Sequence, residues 1–168
     1  MTPVSSDVLH GATGGRASAL QSFTWDLLRI GAGLLFMEHG AQKLVGWFGG
    51  VDGAGATVPL ISQFGLAGVL ELFGGLLIVL GLFTRPVAII LMLEMLYAYL
   101  TQHQPQAQMP IQNGGELALL YALIFAFFAT HGAGPFSLDQ RRRKAPAFEP
   151  AAAPIETSAE STAARPSD

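Results

Sequence analysis

Apolar residues gather into four long blocks separated by short polar or glycine-rich breaks. The blocks run over about residues 23–46, 66–83, 86–103 and 113–131. A helix needs about 20 residues to cross a hydrocarbon core of about 30 Å. The first block meets that length, and the others reach it with a few polar flanking residues. Lipid offers no hydrogen-bond partner to backbone N–H and C=O groups, so such blocks must be helical. The pattern predicts an all-α integral membrane four-helix bundle over residues 23–139. A polar N-terminal tail (1–22) and a C-terminal tail (140–168) flank it, both expected to be disordered and cytoplasmic.

The breaks support four separate spans. Residues 47–65 are glycine-rich and contain Asp52 and Pro59, and the segment 58–64 could lie in the interface or re-enter. Thr84, Arg85 and Pro86 form a tight turn, with Pro86 suited to the first helical position. Residues 102–114 are polar and uncharged apart from His103. Arg16, Arg85 and the basic run 141–144 fall on one side of a four-span threading, and Lys43 alone falls on the other. The positive-inside rule then places both termini in the cytoplasm of a bacterial inner membrane. Residues 1–22 contain no apolar signal-peptide core, so the first span is expected to act as the insertion signal.

Composition agrees. Of 168 residues, 51% are hydrophobic and 12% charged, about half the charge of an average soluble domain. A net charge of −3 leaves no footprint for nucleic acid. The absence of cysteine excludes a disulfide scaffold, thiol redox chemistry and cysteine-ligated metal. Any redox role must therefore use a bound cofactor, a quinone or a partner subunit.

Ionisable residues inside the spans are the informative ones, because a mid-span charge costs about 2.5–3.5 kcal/mol even on lenient scales. They are Arg29, Glu38, His39 and Lys43 on the first span, then Glu71, Glu94 and Glu116 on the next three. By helical rise, Glu71 lies roughly 8 Å below the outer end of its span, Glu116 roughly 2–5 Å, and Glu38 and Glu94 roughly 10–14 Å. Arg29 stands alone in the inner half. Arg29, Gly33, Phe36, Gly40 and Lys43 share one helical stripe, and Gly68, Glu71 and Gly75 form another. The glycines permit close backbone approach. Asn113 and Glu116 are one turn apart, while Glu38 points away from the stripe.

Two readings follow. In the first the charges are structural: Lys43 pairs with Glu71 or Glu116, and Arg29 pairs with Asp139 beside Arg85. In the second, His39, Lys43, Glu71, Glu116 and Asn113 line an outward-facing polar pocket for a proton relay, a quinone head or a small polar ligand. Glu38 and Glu94 carry less weight as pocket residues. No metal-ligand spacing occurs, and His103 and His131 lie near opposite faces.

Taken together, the motifs resemble the DoxX family of small bacterial membrane proteins. The matching pieces are Arg29 with Gly33, the run His39-Gly40-x-x-Lys43-Leu44, and Glu71-x-x-Gly74-Gly75. Leu80-Gly81-Leu82-x-x-Arg85, Asn113-Gly114-Gly115-Glu116 and the final run from Gly132 to Asp139 follow in order. The resemblance spans about residues 27–139. It implies a four-helix membrane bundle associated with respiratory or sulfur redox chemistry, the family name deriving from a subunit of quinone-coupled thiosulfate oxidation. It supports Arg29, His39, Lys43, Glu71 and Glu116 more than Glu38 or Glu94. The leading expectation is an accessory or quinone-interacting subunit of a membrane oxidoreductase system. Its partners would be the bilayer, membrane or peripheral redox subunits, and a second copy of the chain. A non-enzymatic assembly scaffold is the alternative. A small proton-coupled transporter ranks last, since no inverted repeat is evident.

Overall fold

The computed structural model describes the backbone of residues 6–144 and the side chains of residues 18–144. Four long helices carry the fold: α1 (Ser6–Val45), α2 (Gln63–Leu80), α3 (Thr84–His103) and α4 (Glu116–His131). A short helix, α5 (Leu138–Lys144), follows. No strand occurs among the described residues, only an isolated bridge between Gly50 and Ala56.

Two boundaries differ from the sequence expectation. The first helix begins at Ser6, not near residue 23, so most of the expected N-terminal tail is helical backbone. No proline falls between Pro3 and the end of α1, which stops only where Gly46 takes a left-handed φ of 70°. At the other end, residues 140–144 belong to α5, whereas a disordered tail was expected from 140. The rest of that tail, residues 145–168, lies outside the described residues.

The helices pack as two pairs, α1 with α2 and α3 with α4, joined across a shared core. Phe36 of α1, Ile78 of α2, Leu91 of α3 and Phe125 and Phe128 of α4 are almost wholly buried there. Ala88, Ala118 and Ala122 are buried too, and their small side chains let α3 and α4 lie close. Outward, the helices expose Leu27, Leu34, Leu35, Phe73, Leu76, Ile89, Ile90, Leu93, Leu120 and Leu123. Exposed apolar side chains in such number suit a surface that faces lipid or a partner. α2 and α3 are long and apolar enough to cross a membrane, α4 is apolar but shorter, and α1 carries Asp26, Arg29, Glu38 and Lys43 along its length.

The α1–α2 contact is the tightest in the fold. A Cβ placed on Gly40 would lie 2.5 Å from the Leu72 nitrogen and 2.7 Å from the Gly68 oxygen. A Cβ on Gly33 would lie 2.9 Å from the Gly75 oxygen. These are contacts with backbone, which cannot rotate aside. Gly40→Ala should therefore force the helices apart and destabilise the detergent-solubilised protein by about 1–3 kcal/mol, the usual cost of overpacking. Gly31→Ala, where a Cβ meets nothing within 4 Å, should be neutral. Thermal unfolding of the two variants checks this, and equal midpoints would remove the seam from the account.

Candidate functional site

The α1–α2 seam ends in an ion pair. Lys43 occupies the last turn of α1, where a cation also favours the helix dipole. Its Nζ donates to both carboxylate oxygens of Glu71, at 2.6 Å and 2.5 Å. The Glu71 side chain is only 5% exposed and that of Lys43 19%. Glu71 lies within a π turn, Leu70–Gly74, that interrupts α2. A second π turn, Tyr99–His103, closes α3. Such insertions widen a helix locally and recur at functional sites. Here both flank the same cavity.

That cavity has a volume of about 670 Å³. Leu66, Ala67, Leu70, Ile90, Leu93, Met95 and Leu117 form an apolar wall. The polar groups reaching it include His39 and Lys43 of α1, Gln63 and Glu71 of α2, Glu94, Tyr97, Gln102 and His103 of α3, and Tyr121 of α4. Glu94 interacts electrostatically with both Glu71 and Lys43, yet neither of its buried carboxyl oxygens has a hydrogen-bond partner. His39 meets the Tyr121 ring edge-on at 6.1 Å. His103 Nδ1 lies 3.0 Å from the Asn113 carbonyl oxygen. A proton on Nδ1 serves that contact and leaves Nε2 as the acceptor.

The sequence-derived pocket set divides here. His39, Lys43 and Glu71 meet at the cavity. Glu116 is exposed at the start of α4 and does not line it. Asn113 is buried but committed to its own loop, donating to the Ala107 oxygen at 2.8 Å and accepting from the Gly115 nitrogen at 2.8 Å. The cause is Gly114, whose left-handed φ of 69° separates the helical turn Pro110–Asn113 from α4. Asn113 and Glu116 are therefore not neighbours on one continuous helix. Glu94, given little weight from sequence, faces the cavity, whereas Glu38 is exposed on the outside of α1. Among the described residues, no three metal-ligating side chains come together.

The opposite end is closed by Arg29, which is 1% exposed. It donates to the Ile78 and Phe136 oxygens at 2.8 Å, to the Val79 oxygen, and to Asp26 Oδ1 at 3.1 Å. Ile78 and Val79 lie in the last turn of α2, where the regular helical bonding ends and the Ile78 oxygen also accepts from the Gly81 N–H at 3.0 Å. The expected Arg29–Asp139 pair does not form. Asp26, three residues earlier on α1, takes that role, and this spacing puts the two on one face. Asp139 instead caps α3, accepting from the Phe83 and Thr84 nitrogens at 2.8 Å and 2.9 Å. Phe83 holds a left-handed φ of 50°, and the Arg142 guanidinium rests 5.0 Å from its ring centroid. Arg85, expected to lock this end, is exposed and makes no hydrogen bond among the described residues.

Comparison with known proteins gives consistent matches. The DoxX family model matches residues 24–104. An uncharacterized protein of Haemophilus influenzae is 42% identical over 119 residues, covering 68% of this chain and 87% of the relative. A Bacillus subtilis protein named "Putative oxidoreductase CatD" is 30% identical, covering 67% of this chain and 82% of its own length. The Escherichia coli inner membrane protein YphA is 29% identical, covering 68% and 87% respectively. No solved structure matches significantly.

Two outcomes test the Arg29 end. Arg29→Met removes the cation beside the buried Asp26 carboxylate and the donor to the Val79 and Phe136 oxygens, so it should cost about 3–5 kcal/mol in unfolding free energy. Adding Asp26→Leu should recover part of that loss, and strict additivity in the double variant would refute the pairing. The second outcome concerns pH. Partial burial works to raise the Asp139 pKa, but the Thr84 and Phe83 N–H groups and nearby Arg143 outweigh it and hold the pKa below its ordinary value. A depressed folded-state pKa gives stability that is present above the unfolded value and lost as pH falls through the folded one. The advantage of wild type over Asp139→Asn should thus be constant near neutrality and shrink below about pH 4. Melting curves at several pH values check this, and a gap that persists at pH 2 would contradict it.

Proposed function

The chain belongs to the DoxX family, and from that premise we propose that it is a four-span bacterial inner-membrane protein serving as an accessory, quinone-interacting subunit of a membrane oxidoreductase system. The observation that carries this reading is the cavity: apolar walls leading to the Lys43–Glu71 pair and an unpartnered Glu94. Its volume falls within the roughly 300–1,000 Å³ typical of small-molecule sites. A relative named as an oxidoreductase and another named as an inner membrane protein agree with it.

The residues fit a quinone ring. Two carbonyl oxygens need donors, and the Lys43 ammonium keeps one N–H beyond the two given to Glu71. The Tyr121 hydroxyl and the His39 ring are further donors at the cavity. The two bare Glu94 oxygens can accept a proton or a hydrogen bond at the same place. When bound, a quinone would supply two-electron chemistry that this cysteine-free chain lacks. The protein's part is to orient the ring, exclude water with its apolar wall and hold protons at Lys43 and Glu94. On this reading the cavity end faces outward and both termini are cytoplasmic, as the basic residues require.

The direct Lys43–Glu71 contact also favours a second reading, a scaffold in which the pair only fixes α1 against α2. One set of variants separates the two. Purified protein should bind a short-chain benzoquinone in equilibrium dialysis, and Leu93→Trp, which fills the cavity without touching the ion pair, should weaken binding about tenfold or more (about 1.4 kcal/mol). Lys43→Met should destabilise the fold by about 3–5 kcal/mol, with partial recovery in Lys43→Met/Glu71→Leu. Recovery without any quinone binding by wild type would select the scaffold and reject the redox reading.

A further inference from the structure

A second cavity, of about 380 Å³, opens at the Arg29 end of the molecule. Its rim draws on three helices and the segment after α4: Gln21 and Trp25 from α1, Arg85 from α3, His131 from α4, and Asp139 with Arg143 from α5. Both arginines are exposed, and neither guanidinium makes a hydrogen bond among the described residues. The one carboxylate on the rim is already engaged, because Asp139 accepts the Phe83 and Thr84 N–H groups. Trp25 is fixed by donating to the Gly132 oxygen at 3.2 Å. The cavity thus presents two guanidinium forks free of hydrogen bonds beside one carboxylate whose oxygens are taken by backbone N–H groups.

We infer that this cavity binds the phosphate of an anionic phospholipid headgroup from the cytoplasmic leaflet. The inference rests on the four-span orientation argued above, which sets this end at the cytoplasmic interface. Guanidinium groups match phosphate oxygens in pairs, which makes arginine the favoured residue for such anions. Acyl chains have a surface to follow. Gln21 is flanked on α1 by Leu20, 66% exposed, with Phe23, 61% exposed, two residues on, while Phe136 beside the cavity is 76% exposed. Tryptophan at the rim suits the headgroup level of a bilayer. Arg141, Arg142 and Lys144 add positive charge on the same short helix without lining the cavity. They attract the leaflet generally, whereas Arg85 and Arg143 select a headgroup.

The test uses the full chain in detergent, titrated with phosphatidylglycerol or phosphatidylcholine of identical acyl chains and read by native mass spectrometry. Wild type should prefer phosphatidylglycerol, and Arg85→Ala/Arg143→Ala should lose about tenfold or more in its affinity, from a contribution of about 1 kcal/mol per basic residue. Arg141→Ala/Lys144→Ala removes the same charge outside the cavity and should lose much less. If the double cavity variant aggregates, Arg143→Gln on the exposed face of α5 carries the same test with about fivefold loss. Equal binding of the two lipids, or equal loss in both double variants, would overturn the site. Displacement of the lipid by millimolar inorganic phosphate would identify a soluble anion and overturn the lipid assignment. Alkaline carbonate washing of membranes tells the two levels apart. A chain released by carbonate defeats the membrane orientation and this site with it, whereas a retained chain without lipid preference defeats this site alone.

Discussion

The seam between α1 and α2 organises the structure. It runs from Arg29 to Lys43, four turns and about 21 Å along α1, with Gly33 and Gly40 between the two charges. The glycines bring backbone against backbone, with Gly33 beside the Gly75 carbonyl and Gly40 beside the Gly68 carbonyl and the Leu72 nitrogen. Each charge then meets its partners without reaching far. Lys43 finds Glu71, and Arg29 finds the last carbonyls of α2. A buried charge left alone is strongly destabilising, so the seam has one register that satisfies both ends. Moving α2 by one turn along α1 would unpair both.

The two ends differ in what the charges leave over. At the Arg29 end, one guanidinium ties together α1, α2 and the chain after α4, and Asp139 closes the start of α3. Among the buried side-chain atoms described there, Arg29 Nε and the Thr84 hydroxyl lack a partner, but both terminal guanidinium nitrogens are committed to the joint. At the Lys43 end, two π turns widen α2 and α3, and a carboxyl from α3 remains unmatched. Unmatched buried oxygens are tolerated where a site gains from them. The asymmetry separates an end tied by one guanidinium from an end where an unpartnered carboxyl faces a cavity.

The sequence made the seam legible because helical phase is simple arithmetic over uninterrupted helix. Arg29, Gly33, Gly40 and Lys43 share a stripe by spacing alone, and Glu38 is turned away by the same count. That arithmetic failed where the helix was not continuous. Asn113 and Glu116 look one turn apart, but Gly114 in the left-handed region breaks the phase between them. Glu94 drew little weight because its place at the cavity comes from how α3 packs, a tertiary fact without local signature. Asp26 did have a signature, the i, i+3 spacing to Arg29, which the distant Asp139 obscured.

That contrast bears on how the cavity half should be understood. Lys43 and Glu71 belong to the seam, so their positions are fixed by the same glycine contacts that hold the fold together. Glu94 belongs to α3, whose contacts with the seam pass through the softer side chains of Leu91 and Met95. A Cβ on Gly74 would lie 2.7 Å from Leu91 Cδ2, a contact with a flexible end and not with backbone. The rigid wall of the cavity therefore carries the ion pair, and the more adaptable wall carries the unmatched carboxyl. Such an arrangement lets one small bundle keep a fixed fold while leaving the Glu94 carboxyl without a hydrogen-bond partner.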